Sequence, residues 1–221
     1  MRVFDFSQNF WQFIVMALVS YLIGCFNFAR IIAKHKHKDI TKIGSGNPGT
    51  MNMSREFGWK IGALTFVLDA VKGGIVVLAG HLLYQGYVFS GTQISVTDVA
   101  RYFCGVFAVL GHIVPITAKF KGGKGIAVMI GMTASLAFTT NPLLALPNAI
   151  IGFGLAFGTR YVSMGSLGFA TCLPISCYLL GYEKEVILIT LAASALAFWR
   201  HRKNIKNLMN GTENRFGSKK K

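Results

Sequence analysis

The chain has 221 residues, 52% of them hydrophobic and only 14% charged, against about a quarter charged in an ordinary soluble domain. Its formal charge of +15 could suit nucleic acid, but the charges sit between long stretches that contain none. That segregation argues against a nucleic-acid partner and for a membrane.

In chain order, residues 10–29 form the first stretch, twenty residues without a charge. At about 1.5 Å per residue they can cross a hydrocarbon core of roughly 30 Å as a helix. They are too long for the apolar region of a signal peptide, lack a small-residue cleavage pattern and lead into His and Lys, so they are expected to remain in place. Further spans are expected at 61–84 and 100–118. Residues 125–159 hold thirty-five uncharged positions, about 52 Å as one helix. That is too long for a single crossing, and Asn141-Pro142 offers a break that makes two short spans joined by an outer turn. Residues 161–182 give another span. The stretch 185–200 is the poorest, with fourteen uncharged residues. The expectation is an all-α polytopic membrane protein of about seven transmembrane helices, one domain over residues 1–221, with neither an internal repeat nor a linker.

Seven spans with the N-terminus outside and the C-terminus cytoplasmic place eighteen of the twenty-three Lys and Arg residues inside. Lysines 34, 36, 38 and 42, Lys119, Lys121, Lys124 and the basic run from Arg200 onward all fall there. This is the positive-inside pattern, and one topology satisfies it at every loop. A basic inner face also attracts anionic head groups and anionic substrates. The four cysteines, Cys25, Cys104, Cys172 and Cys177, lie within apolar spans and form no CxxC pair, which reads as packing.

Three segments do not look like lipid-facing helix. The first is Gly44-Ser45-Gly46-Asn47-Pro48-Gly49-Thr50-Met51-Asn52, followed by Arg55. Its glycines and proline prevent regular helix, and its backbone N–H groups with short polar side chains can hold phosphate oxygens. Arg55 can grip the anion in bidentate fashion. It is neither a Walker loop nor a dinucleotide fingerprint, and a polar loop with turn residues remains the plain alternative. The second is Gly111-His112-Ile113-Val114-Pro115, then Lys119-Phe120-Lys121-Gly122-Gly123-Lys124-Gly125 at a helix entrance. Loop lysines alone do not explain the glycines, and free backbone donors, a positive helix end and mobile cations together suit an anion. His112 near a membrane face reads as a packing histidine. The third is Arg200-His201-Arg202-Lys203-Asn204, continuing to Gly211-Thr212-Glu213. His201 and Asn204 share a face if the last helix continues past the membrane; a basic juxtamembrane tail is the plain alternative. Lys219 to Lys221 read as solvated charge.

Inside the spans, Asp69 and Lys72 stand one turn apart. Each alone would cost about 2.5–3.5 kcal/mol at mid-bilayer, so a pair facing the bundle is expected. Ser163 and Ser166, after Arg160, form another short polar segment on the inner side.

With these residues in hand, the sequence resembles the bacterial acyl-phosphate-dependent glycerol-3-phosphate acyltransferases of phospholipid synthesis, over essentially the whole chain. Gly44 to Gly49 with Asn52 and Arg55 look like the first motif of that family. Gly111-His112 with Pro115 and Phe120-Lys121-Gly122-Gly123-Lys124-Gly125 look like the second, which is the most specific. His201, Asn204, Ile205, Gly211 and Glu213 look like the third. Thr50-Met51-Asn52, Val114 and Asn207 depart from the family pattern, and Asn207 removes one candidate phosphate contact.

The resemblance implies transfer of a fatty acyl group from acyl phosphate to the 1-hydroxyl of glycerol 3-phosphate, giving lysophosphatidic acid and phosphate. It implies no metal and no bound cofactor. The site would face the cytoplasm at the bacterial inner membrane, with membrane lipids around a monomer. His201, Asn204, Ser45 and Arg55 would be catalytic. Gly46, Asn47, Asn52, Lys121, Gly122, Gly123, Lys124, Gly125, Ser163, Ser166 and Glu213 would bind substrate, acyl phosphate lying along Gly122 and Gly123. His201 or a substrate phosphate oxygen would take the hydroxyl proton. The His-x4-Asp arrangement of acyl-CoA-dependent acyltransferases is absent. A transporter for organic phosphates is the competing class, but no matching broken helices mark two pseudo-symmetric halves.

Overall fold

A computed structural model describes residues 2–215 of the chain; Lys219 to Lys221 lie outside them. Helix α1 spans Phe6–Cys25, opened by Asp5, whose carboxylate accepts the Ser7 N–H. The expected first span, 10–29, therefore starts earlier and its helix is interrupted at Phe26-Asn27. The cause is Asn27, which caps α2 (Phe28–His35) by accepting the Arg30 N–H and reaches across to the Pro48 carbonyl. A capping side chain buried at a helix end satisfies donors that a continued helix would have bonded internally.

Helices α3 (Thr50–Phe57) and α4 (Trp59–Tyr84) follow, divided at Gly58, whose φ of 90° breaks the helix. Then come α5 (Val96–Ile113), α6 (Ile126–Thr139), α7 (Ala145–Thr159), α8 (Val162–Leu179) and α9 (Lys184–Met209). The long uncharged stretch does break at Asn141-Pro142: the Asn141 side chain accepts the Leu143 N–H and opens a 3₁₀ turn into α7.

Five helical segments are long and apolar enough to cross a membrane: Phe6–His35, Trp59–Tyr84, Val96–Ala118, Pro142–Thr159 and Val162–Leu179. Helix α6 is apolar but has 14 residues, about 21 Å of rise. Helix α9 runs 26 residues, its final third charged.

Small residues bring the helices together, as expected where lipid provides no hydrophobic drive between them. A Cβ on Gly131 of α6 would lie 1.8 Å from the Ala70 carbonyl oxygen of α4, and one on Gly165 of α8 would lie 2.3 Å from the Gly152 oxygen of α7. The core between α4, α5, α6, α8 and α9 is filled by Tyr102, Met129, Met132, Leu136 and Leu173, all fully buried. Trp11, Leu22, Val71, Ile150 and Leu188 stand exposed on the outside, where acyl chains rather than water would meet them.

Strands β1 (Arg2–Phe4) and β2 (Tyr87–Phe89) pair in parallel, which nothing in the hydropathy pattern suggested. Phe4 and Phe13 seal the pair edge-to-face at 5.9 Å. The start of the chain and the α4–α5 connection therefore share one face of the bundle.

Candidate active site

At the opposite end of the helices a cavity of about 1230 Å³ opens. Its polar half is built from the loops at 44–52 and 119–125 and from the 200–204 turn of α9. Its apolar half, with Phe66, Ile130, Phe153 and Phe169, runs into the seam between the α4–α6 pair and the α7–α8 pair. All three motif segments meet there.

Positive φ at Gly44 and Gly46 (58° and 68°) bends the first loop back on itself, a conformation open to glycine. Asn52 fixes the bend. Only 1% exposed, its Oδ1 accepts the Ser45 N–H at 2.9 Å, while its Nδ2 donates to the Ile40 and Ile43 carbonyls at 3.2 and 3.0 Å. A side chain with both ends engaged in this way shapes the loop, although Asn52 also lines the cavity. Ser45, Gly46 and Asn47 line the cavity. Arg55 lies behind them, its Nη2 3.4 Å from Ser45 Oγ.

The second loop departs most from expectation. Gly122 and Gly123 do not offer spare amides, because their N–H groups donate to the Ile113 and His112 carbonyls at 3.2 and 3.1 Å. Their carbonyls are held by Arg200, Nη2 to Gly122 at 2.7 Å and Nε to Gly123 at 3.0 Å, and Arg30 Nη2 holds the Lys121 carbonyl at 2.6 Å. Gly123 is not among the residues that line the cavity. Both glycines serve close approach: a Cβ on Gly122 would lie 2.1 Å from the His112 carbonyl oxygen, and one on Gly123 would lie 2.2 Å from His112 Nε2.

The anion-facing donors begin two residues later. Gly125 caps α6 with no side-chain cap, and Gly125, Ile126 and Ala127 line the cavity. The uncapped first turn turns unbonded N–H groups and the positive end of the helix toward that space. Lys121 is exposed at the rim, whereas Lys124 is half-buried inside. Burial pulls the Lys124 ammonium down to about 8. Glu213 works against this, and the Arg55, Arg200 and Lys203 cations add to it.

Helix α9 does continue past its apolar stretch, so His201 and Asn204 share a face. His201 is 2% exposed and its Nδ1 lies 2.7 Å from the Ala197 carbonyl. A carbonyl can only accept, so Nδ1 carries the proton and the lone pair of the neutral ring sits on Nε2. Glu213 Oε1 accepts from Asn204 Nδ2 at 2.6 Å and from Ser163 Oγ at 3.1 Å. It thereby ties the start of α8 to the extension of α9. Ser166 donates to the Val162 carbonyl within its own helix. Both serines line the cavity with their protons committed to protein.

Beneath the second loop lies the expected intramembrane pair. Lys72 Nζ is 2.8 Å from Asp69 Oδ1. It also reaches the Gly24 and Phe26 carbonyls at 3.1 and 2.6 Å and His112 Nδ1 at 2.9 Å. One ammonium thus closes the end of α1 and joins it to α4 and α5.

Arg30 and Arg200 were missed as site residues. Nothing in sequence separates Arg200 from Arg202 and Lys203 beside it, since its role depends on carbonyls almost eighty positions away.

Among the described residues that line the cavity, Arg55, Lys124, Arg200 and Lys203 stand with two acids, Glu213 and Asp69, the latter paired with Lys72. That imbalance, beside an uncapped helix start, marks an anion site. The glycerol-3-phosphate acyltransferase family matches residues 14–211. The chain belongs to this family. A glycerol-3-phosphate acyltransferase of Agrobacterium fabrum is 41% identical over 204 residues, covering 92% of this chain and 91% of the relative. One from Aquifex aeolicus is 33% identical, covering 91% and 97%. The structure of PlsY, an integral membrane glycerol 3-phosphate acyltransferase, in its glycerol 3-phosphate form matches with a TM-score of 0.81 at 33% identity, over 93% of this chain and 96% of its own; a lysophosphatidic acid form matches at 0.79. The chain is accordingly an integral, multi-pass membrane enzyme. For a glycerol-3-phosphate acyltransferase the divided cavity is apt: a cationic half suits a phosphate, and an apolar half suits a fatty chain.

Proposed function

We propose that this acyltransferase moves a fatty acyl group from acyl phosphate to the 1-hydroxyl of sn-glycerol 3-phosphate, releasing phosphate and lysophosphatidic acid. The observation that carries this reading is the single cavity whose cationic half continues into the apolar seam of α4, α6, α7 and α8. Seven crossings, with α6 and α9 added to the five long apolar segments, put that cavity on the cytoplasmic face of the bacterial inner membrane. The positive-inside charge distribution supports this orientation. The enzyme works as a monomer, with no metal or cofactor.

The glycerol 3-phosphate phosphate sits against Arg55, Lys124 and Ser45, within reach of Asn204. The donor phosphate faces the uncapped start of α6 and the rim lysine Lys121, and its chain lies in the seam. Glu213, Asn52 and the two glycines Gly122 and Gly123 hold these groups in place. His201 Nε2 accepts the hydroxyl proton as the oxygen attacks the acyl carbon. Phosphate is already a good leaving group, so positioning and charge neutralisation suffice without an activated protein nucleophile.

Purified protein in detergent, given palmitoyl phosphate and glycerol 3-phosphate, tests this. Equal amounts of inorganic phosphate and lysophosphatidic acid are expected. An organic-phosphate transporter would need a compartment, and absence of turnover in folded protein would overturn the enzyme reading of this site.

A further inference from the structure

His112 lies where the two halves of the cavity meet, lining it together with Gly122, Lys124, Ile126 and Phe66. It is 3% exposed, which by itself suits a packing residue. Its surroundings are not those of one. Lys72 Nζ approaches Nδ1 at 2.9 Å, and the same ammonium serves the Phe26 and Gly24 carbonyls and the Asp69 carboxylate. All of those partners only accept, so Lys72 is the donor toward the ring. Nδ1 is then the acceptor, and the imidazole proton resides on Nε2. Asp69 holds the ammonium in place, as a charge buried among helices requires.

The other end of the ring is not bonded to protein. Among the described residues none is a hydrogen-bond partner of Nε2, and His112 lines the cavity. What stands in front of it is Gly123, where any Cβ would come within 2.2 Å of Nε2. A side chain at 123 would collide with this N–H, and glycine leaves that space free.

We propose that His112 is a catalytic residue whose Nε2–H donates to the acyl carbonyl oxygen as negative charge develops there. This rests on the acyl-phosphate reading above. With the donor phosphate at the start of α6 and the chain in the seam, the reacting carbonyl falls between Lys124 and Phe66, the level of His112. The hydroxyl oxygen forms the new bond to the acyl carbon, and the carbonyl electrons move onto oxygen, where Nε2–H meets them without giving up its proton. As the carbonyl re-forms, the bond to phosphate breaks and phosphate leaves with the electron pair. The hydroxyl proton passes to His201. A fixed donor aimed at developing charge in a water-poor site typically contributes about 10²–10³ in turnover. Lys72 and Asp69 are positioning residues, acting through the tautomer they impose.

The test uses two variants of the full-length enzyme in detergent. In His112→Gln the side-chain amide reaches the position of Nε2; in His112→Asn it reaches only that of Nδ1. His112→Asn can still accept from Lys72 through Oδ1, so its loss reports the missing donor at Nε2 and not the structural bond. We expect kcat in His112→Asn to fall by about 10²–10³ while KM for glycerol 3-phosphate stays near wild type. His112→Gln should recover most of that loss. Equal kcat in the two variants, or a loss confined to KM, overturns the proposal. Measured glycerol 3-phosphate binding shows that each variant is folded, and His112→Ala judged by the same kcat ratio serves if either fails that check. Wild-type turnover with palmitoyl phosphate is run alongside: if it is absent, the donor reading fails, and if it is present with unchanged variants, only the role of His112 fails.

Discussion

Buried charge gathers at both ends of this helix bundle, and the two clusters are built on different terms. Near the β1–β2 end, Arg101 is 4% exposed and paired with Asp98 one turn away on α5. It also reaches the Thr139 carbonyl and hydroxyl at 3.4 Å each and His81 Nδ1 at 3.3 Å. One cation meets one acid and several neutral acceptors. At the cavity end, the described lining residues include Arg55, Lys124, Arg200 and Lys203 but only two acids, Glu213 and the Lys72-paired Asp69. The first cluster is balanced in charge by Asp98 and fastens α5 to α4 and α6. The second lacks negative charge, which a phosphate would bring. Buried charge by itself is therefore no sign of function, whereas a deficit of counter-charge in a cavity is.

The largest effect that would sharpen this contrast is expected at His201. Replacement by Gln removes the proton acceptor and should lower kcat by about 10²–10⁴, measured as initial rates at saturating substrates. Near-normal turnover in folded protein would shift the base to a substrate phosphate oxygen. Arg200→Gln comes next. It releases the Gly122 and Gly123 carbonyls, and kcat/KM for both substrates should drop by about 10–100-fold, in keeping with charged hydrogen bonds worth roughly 1.5–3 kcal/mol.

A smaller effect follows from pH. Burial and neighbouring cations bring Lys124 down to about 8. A lowered ammonium is charged below that value and lost above it, so phosphate binding weakens as pH rises. KM for glycerol 3-phosphate should climb through pH 8 to 9, and Lys124→Arg should flatten the climb. The least kinetic effect belongs to the other cluster. Arg101→Met strands Asp98 and should lower the melting temperature, yet leave KM for both substrates as it was. A rise in KM there would break the contrast.

Much of the fold could be read from where charges are absent. Residues 161–182 and 125–159 announced helices, and Asn141-Pro142 announced the break, because proline and a capping amide act locally. The interruption at Phe26-Asn27 stayed hidden since Asn27 is uncharged and its second partner is Pro48. The β1–β2 pair stayed hidden for the same reason: its partners are about 85 positions apart. In the site, the three segments do meet at one cavity, but several of their groups bond to other protein groups. Gly122 and Gly123 looked like donors, and the bonds that consume their amides come from the end of α5, which sequence spacing does not bring near. Asn52 looked like a ligand, and only the folded loop shows both ends of its amide in use.

The most direct measurement of the central claim is glycerol 3-phosphate saturation of Lys124→Ala beside Arg101→Met, each at saturating palmitoyl phosphate. Loss of a charged contact worth roughly 1.5–3 kcal/mol should raise KM in Lys124→Ala by about 10–100-fold, with Arg101→Met unchanged. Wild-type KM in Lys124→Ala, or an equal rise in the two, would contradict the account.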